Sequence, residues 1–269
     1  MASLIICFMA AIVSFLVTIV SFVKEERRAS AMRASSMLNS IALAGPALYL
    51  HSFLPQSESS WAELSHSIDE VGGGWFLALL GGLTASLLSL CMYRDAFKCG
   101  EVACHSKELG HSWSSMTRFF IAPILMIVTI LGFFLPWSSG SVTSWWAQVS
   151  WSVSGFEVSI LMYSVPAAAV LFFAPSFIND IVGKADLRIF SQAAHSLVAF
   201  TFALTLTWGL AFGEYGSMVP DVYRNASLQL GWYLCTIGLL VMLVIALAPS
   251  RPNSQDTEES PGSFADHSA

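Results

Sequence analysis

Charge is scarce in this sequence: of 269 residues only 11% are Asp, Glu, Lys or Arg, against about 25% in an ordinary soluble domain. So little polar surface cannot solvate a globule of this length, which excludes a soluble fold. Basic residues are few and scattered, 12 Lys and Arg with no dense stripe, which excludes a nucleic-acid partner. Cysteines number five, and none falls in a segment read as extracellular, so no disulfide framework is expected. There is no nucleophile–base pair, no phosphate loop and no convincing metal set, so no enzyme chemistry is read from the chain. No Lys, Arg or Asp lies near the middle of a long apolar run. That argues against a proton relay, a voltage sensor or a retinal site.

Long apolar runs are what the sequence has instead. A spanning helix needs about 20 mostly apolar residues. Seven stretches qualify: Ser3–Val23, Ser36–Leu54, Gly74–Tyr93, Phe119–Trp137, Phe156–Phe177, Gln192–Phe212 and Gly231–Ala248. The second is the weakest, carrying Asn39, Gly45, Pro46 and His51. The first is not read as a signal peptide, because its positive charges follow the run instead of preceding it. The expected fold is an all-α polytopic membrane bundle of about seven helices over residues 1–249. The tail, 250–269, is rich in Ser, Pro, Asp and Glu and is expected to be a disordered cytoplasmic segment.

Positive charge marks the cytoplasmic side. With the N-terminus outside and the C-terminus inside, 11 basic residues fall inside, Lys24, Arg33, Arg118 and Arg188 among them, and only Arg224 falls outside.

An internal repeat is visible. Phe53-Leu54-Pro55 and Phe134-Leu135-Pro136 end outgoing spans, and Gly74-Trp75, Gly155-Phe156 and Gly231-Trp232 open returning ones. The unit is an Arg, a helix out, a loop and a helix in. It gives one leading helix plus three hairpin units. A second register pairs spans 1–3 with spans 5–7, the layout of seven-helix sugar facilitators, whose motifs are absent. The run Phe134–Trp137 followed by Val153–Phe156 resembles small multi-span bacterial membrane proteins of uncharacterised function. In these, helices end in Leu-Pro-Trp and resume at Ser-Gly. That resemblance implies a membrane hairpin and brings no functional residues.

Candidate sites are few. Gly74, Ala78, Gly82 and Ser86 form a small-residue row that lets helix backbones approach, which places the third span in the middle of the bundle. Glu157 is the one acid inside a predicted span, close enough to its edge to reach outer water. Thr201, Thr205 and Trp208 share a face of the sixth span, which either lines a solute path or bonds a neighbouring helix. Cys99, Cys104, His105 and His111 are ligand types that zinc prefers, but their spacing matches no standard knuckle and no metal is expected. His51 and His195 lie at opposite depths, so they do not pair on one haem, and no cofactor is expected.

Outside the spans, Trp61, Leu64, Ile68 and Val71 fall at helical spacing, and the residues from Trp145 to Val153 alternate as in a strand. Asn225-Ala226-Ser227 is a glycosylation triplet. The resulting reading is a multi-pass protein of the plasma or cytoplasmic membrane with a non-enzymatic accessory, scaffold or binding role. A facilitator or channel for a small neutral solute and a seven-helix receptor or sensor are the alternatives. The expected partners are the lipid bilayer and a membrane protein or a second copy of the chain.

Overall fold

The computed structural model describes residues 2–23, 28–53, 73–98, 121–143, 148–178, 184–218 and 226–247. The apolar runs are helices, as they must be in lipid, where every backbone polar group has to be satisfied internally. In chain order they are α1 (Ala2–Val23), α2 (Arg28–Phe53), α3 (Gly73–Lys98), α4 (Ala122–Phe134), α5 (Ser164–Ile178), α6 (Lys184–Met218) and α7 (Leu230–Leu247). Among the described residues, two stretches are long and apolar enough to cross a membrane, Ile189–Phe212 and Leu230–Leu247. Phe8–Ile19, Leu77–Met92, Pro123–Phe134 and Ile160–Pro175 are shorter apolar helices.

Two groups of helices meet along α2 and α6. On one side α1 and α3 flank α2; on the other α5 and α7 pack with α6, and α4 packs against α5 and α7. The core between them holds Met37 and Ala44 of α2, Val165, Ala168 and Ala169 of α5, Val198, Ala199 and Leu204 of α6, and Leu239 and Met242 of α7. The outward faces are apolar as well: Phe8 and Phe15 of α1, Leu77, Leu80 and Leu87 of α3, Ile124 and Ile127 of α4, and Ile237 and Val244 of α7 are all exposed. Soluble monomers rarely expose apolar belts on so many helices, and in a membrane bundle these faces meet lipid.

The third span is an edge helix, where the sequence pattern puts it in the centre. Gly82 does admit a close neighbour, since a Cβ there would lie 2.7 Å from Leu43 Cδ2 of α2. Ser86 is half-buried, but Ala78 is exposed and Gly81 faces open space. A row of small residues sets how near one neighbour comes: α3 packs chiefly against α2, touches α6 to a lesser extent, and turns its leucines outward.

Polar side chains join α1, α2 and α3. The Ser14 hydroxyl donates to Asn39 Oδ1 at 2.6 Å and lies 3.0 Å from Ser35 Oγ; Asn39 Nδ2 donates to Ser89 Oγ at 3.1 Å. Interhelical bonds of this kind average about 0.6 kcal/mol in membranes. Asn39→Ala is therefore expected to lower stability by about 1 kcal/mol or less. Ser14 keeps Ser35, and Ser89 keeps the Ala85 carbonyl. Unfolding in detergent checks this, and a loss several times larger would show that Asn39 organises the three helices.

Three segments depart from the predicted spans. α4 stops at Phe134, because Pro136 pushes Leu135 into an extended conformation (φ −77°, ψ 159°). The fifth span is broken: Ser154 and Glu157 form a capping box that opens a single turn, Gly155–Val158. Ser159 is extended and starts a second short turn, Ile160–Tyr163, before α5 begins. α6 is longer than predicted, and its 35 residues reach about 52 Å at 1.5 Å per residue.

Between α4 and α5 the chain forms a hairpin, β1 (Pro136–Thr143) and β2 (Gln148–Ser154), paired antiparallel from Ser138↔Val153 to Thr143↔Gln148. β3 (Ser227–Leu228) adds to the other edge of β1. The strand-like alternation seen in the sequence corresponds to β2. The predicted amphipathic segment around Trp61, Asn225 of the glycosylation triplet and the tail lie outside the described residues, whereas Ser227 of the triplet opens β3.

Candidate functional site

The polar residues that gather helices from both groups lie at the end of the bundle opposite the sheet. Arg33 extends from the second turn of α2. Its Nη2 donates to the Ala246 carbonyl of α7 and lies 3.2 Å from His195 Nδ1 of α6. Gln192, itself buried, donates from Nε2 to the Arg33 carbonyl at 3.2 Å. One turn on, the Ser36 and Ser196 hydroxyls are 2.7 Å apart. The Phe172 ring of α5 lies 5.3 Å from the His195 ring. A charge near a membrane end needs acceptors from its neighbours, and here an imidazole and a helix-terminal carbonyl supply them.

The face of Thr201, Thr205 and Trp208 is built into the packing. Both threonines are fully buried; Thr205 Oγ1 donates to the Phe202 carbonyl, and its own carbonyl accepts from Trp232 Nε1 at 2.9 Å. Trp208 meets the edge of Trp137 and stacks on Phe212. Glu157 is exposed, and its carboxylate accepts from the Ser154 N–H at 2.7 Å. Cys99, Cys104, His105 and His111 lie outside the described residues, and Gly74 stands in the first turn of α3. Among the described residues no three His, Cys, Asp or Glu side chains converge. At the sheet end, Ser139, Ser141, Ser150, Ser152 and the Trp151 ring line a shallow open depression.

Apolar helices with lipid-facing flanks, a buried polar cluster at one end and a small sheet at the other define an integral membrane helix bundle. Residues 34–216 match the family model of cytochrome b/b6/petB. The chain belongs to the cytochrome b family. Cytochrome b of Albinaria caerulea is 32% identical over 184 residues, covering 66% of this chain and 45% of that protein. Cytochrome b of Oenothera berteroana is 25% identical over 177 residues, covering 65% of this chain and 41% of that protein. The chain thus spans less than half the length of these relatives. No solved structure matches it.

Two expectations are overturned by this match. The resemblance to uncharacterised bacterial proteins rested on Leu-Pro-Trp and Ser-Gly. Those residues are a proline helix stop and a capping box, local devices that unrelated membrane hairpins share. The family match also replaces the non-enzymatic accessory, scaffold or binding role, and neither the facilitator nor the receptor alternative accounts for it.

A cytochrome implies haem, whose iron takes axial ligands such as His, Met, Cys or Tyr. The described residues do not fit a histidine-paired haem. His195 is the one histidine whose side chain is described, and its Nδ1 faces a guanidinium. His51 stands on α2 eighteen residues beyond Arg33, about 27 Å along the helix, whereas two ligands of one iron are only a few ångströms apart. The close-approach glycines are filled from within the bundle: Gly209 faces Trp232, Gly155 faces Trp137, and Gly132 faces the Cys235 backbone. The sequence could have disclosed the Arg33–His195 pair only through depth, since 162 positions separate the two.

Proposed function

We propose that this chain is a membrane-embedded redox subunit of the cytochrome b kind, holding haem and working between an electron donor and an electron acceptor in the membrane. The observation that carries this reading is the family match from Ala34 to Gly216, which runs from α2 through most of α6. Haem supplies one-electron chemistry. The chain's own part is to exclude water and fix geometry with a closely packed apolar core. Histidines that remain to supply axial ligands for such a group are His51, His66, His105 and His111. The test is the reduced-minus-oxidised absorbance spectrum of the purified, folded protein. A haem band is expected, and a flat difference spectrum would overturn the reading.

The proposal includes seven spans, with the N-terminus and the sheet outside and the tail inside, in a plasma or cytoplasmic membrane. The 11-to-1 division of basic residues supports this orientation. Single cysteines placed at Ser139 and Ser254 should differ: an impermeant thiol reagent added to sealed cells is expected to label the first and spare the second. Labelling of Ser254 from outside would reverse the topology.

A further inference from the structure

We propose that His195 serves this chain as the hydrogen-bond acceptor of Arg33, closing a clasp across the bundle, and is not an axial ligand of haem. The inference rests on the redox reading above and narrows where its cofactor is held.

Hydrogen-bond polarity decides what His195 can do. A guanidinium has five N–H donors, no acceptor, and does not deprotonate in proteins. With Arg33 Nη2 at 3.2 Å, His195 Nδ1 must therefore present its lone pair. A neutral imidazole that accepts at Nδ1 carries its proton on Nε2. Neither nitrogen then has a lone pair free for iron. Histidines that bind metals show the opposite pattern: the second ring nitrogen donates its proton to a carboxylate, a carbonyl or water, which frees the first to ligate.

The surroundings hold this arrangement in place. Arg33 is also fastened to the Ala246 carbonyl, its own carbonyl accepts from Gln192, and Ser36 bonds Ser196 one turn further along. Phe172 lies against the imidazole. Through these contacts α2, α5, α6 and α7 meet at one level. α2 joins the two helix groups, so a bond from it to α6 and α7 ties the whole bundle together at the end that has no sheet.

The test uses the full chain and two variants. His195→Leu removes the acceptor; His195→Asn retains one, because its side-chain oxygen stands near the position of Nδ1, but offers iron no imidazole. Haem per chain, from the pyridine haemochrome, and the Soret band should match wild type in both. The thermal midpoint should fall clearly in His195→Leu and recover for the most part in His195→Asn. Loss of half or more of the haem from both folded variants would overturn the proposal. So would a His195→Leu midpoint equal to wild type. A wild-type protein without haem would overturn the redox reading instead, and the clasp would then stand or fall on the midpoints alone.

Discussion

Trp137→Ala is expected to cost about 3 kcal/mol of stability, the low end of the roughly 3–5 kcal/mol typical of a buried Trp or Phe reduced to Ala. The low end applies because helices in lipid are held by packing more than by transfer from water. Trp137 is fully buried where α4 passes into β1, at the irregularity in the strand register. Its indole Nε1 donates to the Gly132 carbonyl at 3.0 Å, its ring fills the space beside Gly155, and Trp208 meets it edge to face at 5.5 Å. Nothing adjacent can collapse into that volume without moving the hairpin, which is also held through Gln229 N donating to the Trp137 carbonyl at 2.8 Å. Trp137→Phe keeps most of the packing and loses one hydrogen bond, a change of about 1 kcal/mol. Chemical unfolding in detergent separates the two variants. A Trp137→Ala protein as stable as Trp137→Phe would show that the ring is not a keystone between sheet and bundle.

Gly231→Val is expected to have a comparable effect from the opposite cause. A Cβ at Gly231 would lie 2.6 Å from the carbonyl oxygens of Leu135 and Pro136 and 2.8 Å from that of Gly132. These are backbone atoms at the end of α4, so relief requires α4 and α7 to separate. Overpacking of this kind costs about 1–3 kcal/mol, and rigid neighbours put Gly231→Val toward the upper value. Cys235 reports the separation directly: it is fully buried one turn further along α7, with Sγ donating to the Thr129 carbonyl. With the other four cysteines replaced, its thiol should react many times faster in Gly231→Val than in the parent. Equal rates would mean that the seam accommodates a side chain.

Much of the helical architecture could be read from composition alone. A run such as Leu230–Leu247 has no alternative in lipid, and Pro136 and Ser154 mark a helix stop and a helix start by chemistry visible in the sequence. β2 was legible because Trp151 and Val153 alternate with serines. β1 was not: Ser138, Ser139, Gly140 and Ser141 have no apolar alternation, and the strand exists only through its pairing with β2 and β3. The break at Ser159 was hidden because a single serine in an apolar run is ordinary in a membrane helix. The role of α2 is masked in the sequence, since its Asn, Pro and serines count against a span in any hydropathy sum. Those same residues supply the bonds to α1, α3 and α6.

The family was illegible for a different reason. At 32% identity over 184 residues, about two positions in three differ from that relative, and a single sequence does not show which residues are shared. The different depths of His51 and His195 are legible in the sequence. The Arg33–His195 contact is not, because helix rotation and neighbour choice, which decide that contact, are set by packing across the whole bundle.

Nitrogen-15 NMR of the His195 ring, in protein labelled at histidine, tests most directly how this chain uses the one histidine described in its core. The account predicts a proton on Nε2 and a bare, hydrogen-bonded Nδ1, with the Nδ1 signal shifting when Arg33 is replaced by Lys. A proton on Nδ1, with Nε2 bare or bound to iron, would contradict it.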